Sequence, residues 1–180
     1  ILLSIHGFNE IWVIDHSTTT QEAAGHSGGR YGKGGDLLYR WGNPQTYRAG
    51  GKEDQQFFGQ HDAKWIEDGL PGAGHILVYN NGLNREGEGK GYSTVEEIKP
   101  PIDGDGHYRY VPGKPYGPEK PVWTYRGTPP EEFYSAYISG AQRLPNGNTL
   151  ICSGYNGLFF EVTPEGKEVW RYTNPYPRAK

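Results

Sequence analysis

Ser139-Gly140-Ala141-Gln142-Arg143-Leu144-Pro145-Asn146-Gly147-Asn148-Thr149-Leu150-Ile151-Cys152-Ser153-Gly154-Tyr155-Asn156-Gly157-Leu158-Phe159-Phe160-Glu161-Val162-Thr163-Pro164-Glu165-Gly166-Lys167-Glu168-Val169-Trp170-Arg171-Tyr172 is the stretch that decides the fold. Pro145 to Asn148 is a turn, because Pro presets φ and Asn-Gly tolerates the left-handed region. Thr149 to Ser153 then reads as a short β-branched and apolar strand. Tyr155-Asn156-Gly157 is a second turn and Leu158 to Val162 a third strand. Thr163 to Lys167 turns again into Glu168 to Tyr172. Four short strands joined by tight turns within about 40–45 residues is the period of a propeller blade.

Working outward, the closing strand recurs. Val169-Trp170-Arg171-Tyr172-Thr173-Asn174-Pro175 is echoed by Val122-Trp123-Thr124-Tyr125 and by Leu38-Tyr39-Arg40-Trp41-Gly42-Asn43-Pro44. In each, two aromatics are separated by one residue. Period-two spacing places both on one sheet face, where they are expected to pack against a neighbouring blade, and places Arg40 on the outward side. The opening strand recurs as well. His61-Asp62-Ala63-Lys64-Trp65-Ile66 matches Ser139 to Leu144, so that His61 aligns with Ser139. His75 to Tyr79 follows His61 to Ile66 as the next strand. Near the N-terminus, Ile1 to Ser4, Glu10 to Asp15 and Asp36 to Trp41 read as the last three strands of a truncated unit. The expected fold is therefore all-β, a β-propeller of four-stranded antiparallel blades with about three blades present. The units are a truncated blade at 1–48, a blade at 49–128 with a long insert at 81–120, and a blade at 129–180. Three blades do not close a ring, since about four are needed at least. The chain is expected to belong to a longer or incompletely represented protein, or to close with other protomers.

Composition agrees with this reading and excludes others. Mean hydropathy is −0.80, but 14 Tyr and 5 Trp argue against disorder, and 28 Gly with 14 Pro suit turns and short strands. A net charge of −3 suggests no nucleic-acid partner. No apolar run reaches the length of a membrane span. The single cysteine, Cys152, cannot form an internal disulfide and is expected as a buried strand residue. Two segments interrupt the repeat, the Gly/Ser/Thr-rich loop Ser17 to Gly35 and the stretch Asn81 to Lys120. Long loops of this kind are functional or disordered; Tyr92, Tyr108, Tyr110 and Tyr116 give the second one handles for packing.

The runs Asn9 to His16, Gly35 to Pro44, Gln60-His61-Asp62-Ala63 and Arg143 to Leu150 resemble the arylsulfotransferase family of bacterial propeller proteins. The resemblance covers most of the chain apart from the insert after Asn81. It implies a six-bladed propeller that moves a sulfuryl group from a phenolic sulfate ester to a phenol without a nucleotide sulfate donor. It also implies a transiently sulfated channel histidine, with further His and Arg side chains around the sulfate. It carries the expectation of a periplasmic or extracellular location, no cofactor, and the remaining blades as partners.

Sulfuryl transfer needs a nucleophile that is neutral at working pH and cations around the sulfate oxygens. Histidine suits the first role and arginine the second. His61 is the candidate nucleophile or sulfate ligand, because it begins an inner strand; the bland alternative is a strand histidine bonded to a neighbouring blade. Asp62 alternates to the other face and need not be its partner. His16, after Asp15 at a strand end, is a second catalytic candidate, with loop anchoring as the alternative. His26 and Arg30 share a glycine-rich loop and are substrate-binding candidates, against a merely solvated loop. His75 and His107 match no motif. Ser139 departs from the pattern where a second histidine would stand. No metal site is expected: Asp15, His16 and His26 lack a fourth ligand, and Asp103-Gly104-Asp105-Gly106 resembles a calcium loop without its later acidic residue. A phosphate loop is absent, and the stacking Trp and calcium ligands of a quinoprotein dehydrogenase cannot be placed. The competing reading is a non-catalytic propeller that binds a ligand or partner or builds an extracellular assembly, which leaves open whether the chain is an enzyme.

Overall fold

The structure is a computed structural model describing residues 1–85 and 91–176. Eleven strands among the described residues form three antiparallel sheets, with only a single turn of α-helix. The first sheet contains β1 (Leu2–Ile5), β2 (Glu10–Val13) and β3 (Tyr39–Trp41). The second contains β4 (His61–Trp65), β5 (Ile76–Asn80), β6 (Thr94–Ile98) and β7 (Trp123–Tyr125). The third contains β8 (Ser139–Arg143), β9 (Thr149–Ser153), β10 (Leu158–Val162) and β11 (Glu168–Thr173). In every sheet, order in space equals order in sequence. Between β1 and β2 and throughout the third sheet, connections of four or five residues allow nothing else, because so short a link joins only antiparallel neighbours.

The chain divides into two compact units, 1–57 with 99–120, and 58–98 with 121–180. In the first, the three-stranded sheet is covered by its own later segment. Tyr39 stacks on Tyr108 with ring centroids 5.0 Å apart and meets Tyr116 edge-on. The Tyr39 hydroxyl donates to the Gly117 carbonyl (2.8 Å) and the Trp41 indole to that of Pro118 (2.7 Å). Tyr108 and Tyr116 thus serve as packing handles, but the Tyr39/Trp41 pair lies under this segment and Phe57 rather than against a blade. Arg40 also departs from expectation. It forks onto the fully buried Glu10 carboxylate with two 2.7 Å bonds instead of reaching solvent. A buried carboxylate left without a cation would be strongly unfavourable, and β2 places Glu10 within reach. The loop after β2 is organised by the single helical turn α1 (Thr20–Ala23), closed by a capping box between Thr19 and Glu22.

In the second unit, the two four-stranded sheets share one core. Leu77, Tyr79 and Val95 of the earlier sheet pack with Ala141, Ile151, Phe160 and Val162 of the later one, and Phe133 from the connection fills the centre. Here the Trp/Tyr strand behaves as its period predicts. Tyr125 packs on Phe133 and Phe160, and the Trp123 indole donates to Pro164 O at 2.7 Å. β6 is a correction to the sequence reading. It lies inside the stretch 81–120, which was expected as one long insert, and every residue of it is buried. Its Glu96-Glu97 pair disguises a core strand as a polar loop. Cys152 does lie on a strand, β9, but is half-buried rather than buried.

Candidate active site

His61 opens β4, and β4 departs from regular pairing immediately after it. Between His61 and Lys64 the register slips against β5, and Asp62 takes φ +55, in the left-handed region. A bulge of this kind re-aims side chains at a strand end. Asp62 accordingly turns away from the histidine. Its carboxylate accepts the Ala141 amide (3.0 Å) and pairs with Lys64 (2.8 Å). Gly140 makes this approach feasible, since a Cβ there would collide with the Asp62 carboxylate. Asp62 was expected to lie on the other face and need not be the partner of His61; here its carboxylate is engaged by Ala141 and Lys64.

One partner that the structure supplies is Asn81, the residue just after β5. His61 Nδ1 lies 2.7 Å from Asn81 Oδ1 and 3.2 Å from Gly59 O. Asn81 is fully buried, and its amide nitrogen donates to Ser135 O (2.6 Å) and Ser139 Oγ (3.0 Å). A carbonyl can only accept, so Ser135 O orients the Asn81 amide with its NH2 toward Ser135 and its oxygen toward His61. Nδ1 therefore faces two acceptors and must carry the proton. In the neutral imidazole this places the lone pair on Nε2. Ser93 completes the support: its hydroxyl donates to Asn81 O (2.9 Å) and accepts from the Ser135 amide (2.9 Å). The turn that delivers Asn81 requires Gly82, at φ +79, because a Cβ there would run into the Tyr92 carbonyl.

Ser139 thus joins the histidine instead of merely replacing one. The residues aligned by repeat, His61 on β4 and Ser139 on β8, reach the same Asn81 side chain. Asn81, Ser93 and Ser135 carry no sequence signal of a site. Asn80-Asn81-Gly82 reads as the end of a strand, and the two serines sit beside aromatics in loops.

Close by along β5 and β6, Asn80 and Thr94 donate to one oxygen of the buried Glu96 carboxyl at 2.9 and 2.7 Å. Burial holds this carboxyl above its ordinary value of 4.5, although both hydrogen bonds and nearby Arg85 pull the other way. Arg85 lies over the Phe58 and Tyr92 rings, 5.1 and 4.4 Å from their centroids. His75, which matched no motif, pairs with Glu97 at 2.6 Å. The other Glu97 oxygen receives Arg143 at 2.5 Å, and Arg143 also lies over the Trp123 ring. This cluster pins the two sheets together. Burial pushes the Cys152 thiol up, which keeps it protonated and unsuited to nucleophilic attack.

A family model described as arylsulfotransferase (ASST) matches residues 43–174. The chain belongs to the arylsulfotransferase family. No curated protein and no solved structure matches it. The matched region of this arylsulfotransferase chain includes His61, Asn81 and Ser139, whereas His16, His26 and Arg30 precede it.

Those three candidates lie in the other unit. His16 is exposed. Its neighbour Asp15 holds the loop by accepting the Ser17 amide and hydroxyl (2.8 and 2.7 Å) and the Tyr31 amide (3.2 Å), which keeps its pKa low. His26 pairs with Asp36 at 2.8 Å with its side chain almost wholly exposed. Arg30 is exposed, its guanidinium 5.8 Å from the Tyr31 ring centroid. Asp103 accepts the Asp105 and His107 amides (3.0 and 2.9 Å), so the Asp-Gly-Asp-Gly run closes on itself as a turn. Among the described residues, no three His, Cys, Asp or Glu side chains are placed to hold a metal ion. No helix among them is long and apolar enough to cross a membrane.

Proposed function

We propose that this chain forms successive blades of an arylsulfotransferase propeller in which His61 carries the sulfuryl group between a phenolic sulfate ester and a phenol. The single observation that carries the reading is the His61–Asn81–Ser139 constellation, which presents Nε2 as the basic atom of a neutral imidazole. In the first step the Nε2 lone pair attacks sulfur, the bond from sulfur to the phenolic oxygen breaks, and the phenolate departs with the electron pair. In the second, the acceptor phenol attacks the sulfur, its proton passes to solvent, and the sulfur–nitrogen bond returns its electrons to Nε2. The fixed Nδ1–H…Asn81 bond stabilises the positive imidazole of the sulfated intermediate. Neither step calls for a cofactor. Separately, Arg30 and His26 in the first unit are proposed to bind a sulfate group, with His16 there a secondary candidate.

The blade arrangement is supported by the second unit, where one meander stacks face to face on the next with its Trp/Tyr strand in the contact. A periplasmic or extracellular location is proposed from the family. The deciding assay follows release of 4-nitrophenolate from 4-nitrophenyl sulfate in the presence of phenol. Transfer is expected in the parent protein and is expected to be lost in His61→Ala. Unchanged turnover in that variant would remove His61 from the reaction, and absence of transfer in the parent protein would favour the non-catalytic reading, a propeller that binds a ligand or partner.

A further inference from the structure

A cavity of about 370 Å³ lies in the first unit, in a region the sulfuryl chemistry does not use. Two segments distant in sequence build it, 41–56 and 115–120. Two hydrogen bonds weld them together, Trp41 to Pro118 and the Tyr116 amide to the Tyr47 hydroxyl (3.2 Å), and Tyr39, just before the first segment, adds a third to Gly117. The cavity is therefore formed before any ligand arrives, which removes much of the ordering cost of binding. Its size falls within the usual range for small-molecule sites.

The walls select the chemistry. Trp41, Tyr47, Tyr116, Pro44 and Pro118 supply flat, rigid, apolar surfaces. Around them stand Glu53, Asp54 and Glu119 against one cation, Lys120. Three carboxylates to one ammonium disfavour an anionic ligand and favour a cationic one. Burial raises the pKa of both Tyr47 and Tyr116, so the rings remain neutral phenols with electron-rich faces. This wall already accepts a cation: the Arg40 guanidinium lies 4.2 Å from the Tyr47 centroid.

We propose that this cavity binds a small organic ammonium ion with an aromatic body, the ring lying against the Tyr and Pro walls and the ammonium facing the Glu53 and Glu119 carboxylates. The test is a titration of the 180-residue chain with 2-phenylethylammonium, 2-phenylethanol and phenylacetate, followed by the indole N–H signals in a proton–nitrogen NMR spectrum. Saturable binding of the amine is expected to shift the Trp41 signal, with weaker binding of the alcohol and none of the acid. The paired substitution Glu53→Gln with Glu119→Gln is expected to weaken the amine about fivefold while leaving the alcohol unchanged, as suits two partly solvated ionic contacts. The same spectrum reports whether the variant is folded, and each single substitution is expected to show a smaller loss. Equal affinity for all three compounds, shifts confined to the other tryptophans, an unaltered affinity in the paired variant, or no saturable binding would each overturn the proposal.

Discussion

Tyr39 and Trp41 on β3 and Trp170 and Tyr172 on β11 share one sequence pattern but have opposite environments. The β3 pair is 0% and 3% exposed; the β11 pair is 48% and 47% exposed. The rings on β11 touch mainly each other, Trp170 stacking on Tyr172 at 6.4 Å and Phe159 tilting against Tyr172 at the same distance. The β7 pair stands between these extremes, half-buried against the following sheet. The alternation makes one face of a strand apolar. It does not say what covers that face. For β3 the cover is the 99–120 segment, for β7 the next meander, and for β11 nothing among the described residues.

The sharpest test of this difference is truncation of one ring in each strand. Trp41→Ala is expected to cost about 3–5 kcal/mol, because it removes a buried indole and leaves the Pro118 carbonyl without its donor. Trp170→Ala is expected to stay within about 0.5 kcal/mol. Urea unfolding of both variants measures the gap, and comparable losses would mean that β11 has a cover of its own. The middle sheet offers an intermediate effect. Trp123→Phe keeps the ring contacts and loses the bond to Pro164, at about 1 kcal/mol by the same measurement.

A pH test separates packing from charge within the core. Folding holds the Glu96 proton more tightly than the unfolded chain does. Stability contributed by this group is thus complete below its ordinary value of 4.5 and is lost as pH rises through the higher folded value. Glu96→Gln, uncharged throughout, is expected to flatten the fall in urea midpoint between mildly acidic and neutral pH; an unchanged slope would place the titration elsewhere. The smallest effect is spectroscopic. Acrylamide is expected to quench Trp170 readily and Trp41 hardly at all, which Trp→Phe variants at each position resolve.

Much of the architecture was legible because turn chemistry and period-two aromatics are local signals. Asn146-Gly147 and Pro164-Glu165-Gly166 punctuate the last meander, and its four strands fall where those turns require. β6 escaped because Glu96 and Glu97 look solvated until their partners are known. Asn80 and Thr94 both donate to one oxygen of the first, and His75 and Arg143 take one oxygen each of the second, and all four come from other positions in the chain. The candidate site divided in the same way. His61 was legible from the Gln-His-Asp-Ala run, whereas Asn81 looked like the start of a loop.

By itself, the sequence determined where most strands begin and end, β6 excepted, which face of the recurring Trp/Tyr strands carries aromatics, and that His61 opens a strand aligned with the one Ser139 opens. These follow from backbone sterics and a two-residue period, which act over a few neighbours. Only the tertiary structure decided that Asn81 joins His61 to Ser139, which imidazole nitrogen holds the proton, and which of three similar Trp/Tyr pairs is covered. Those outcomes depend on groups brought together from distant parts of the chain, where desolvation makes an unpartnered polar atom costly and so selects one arrangement.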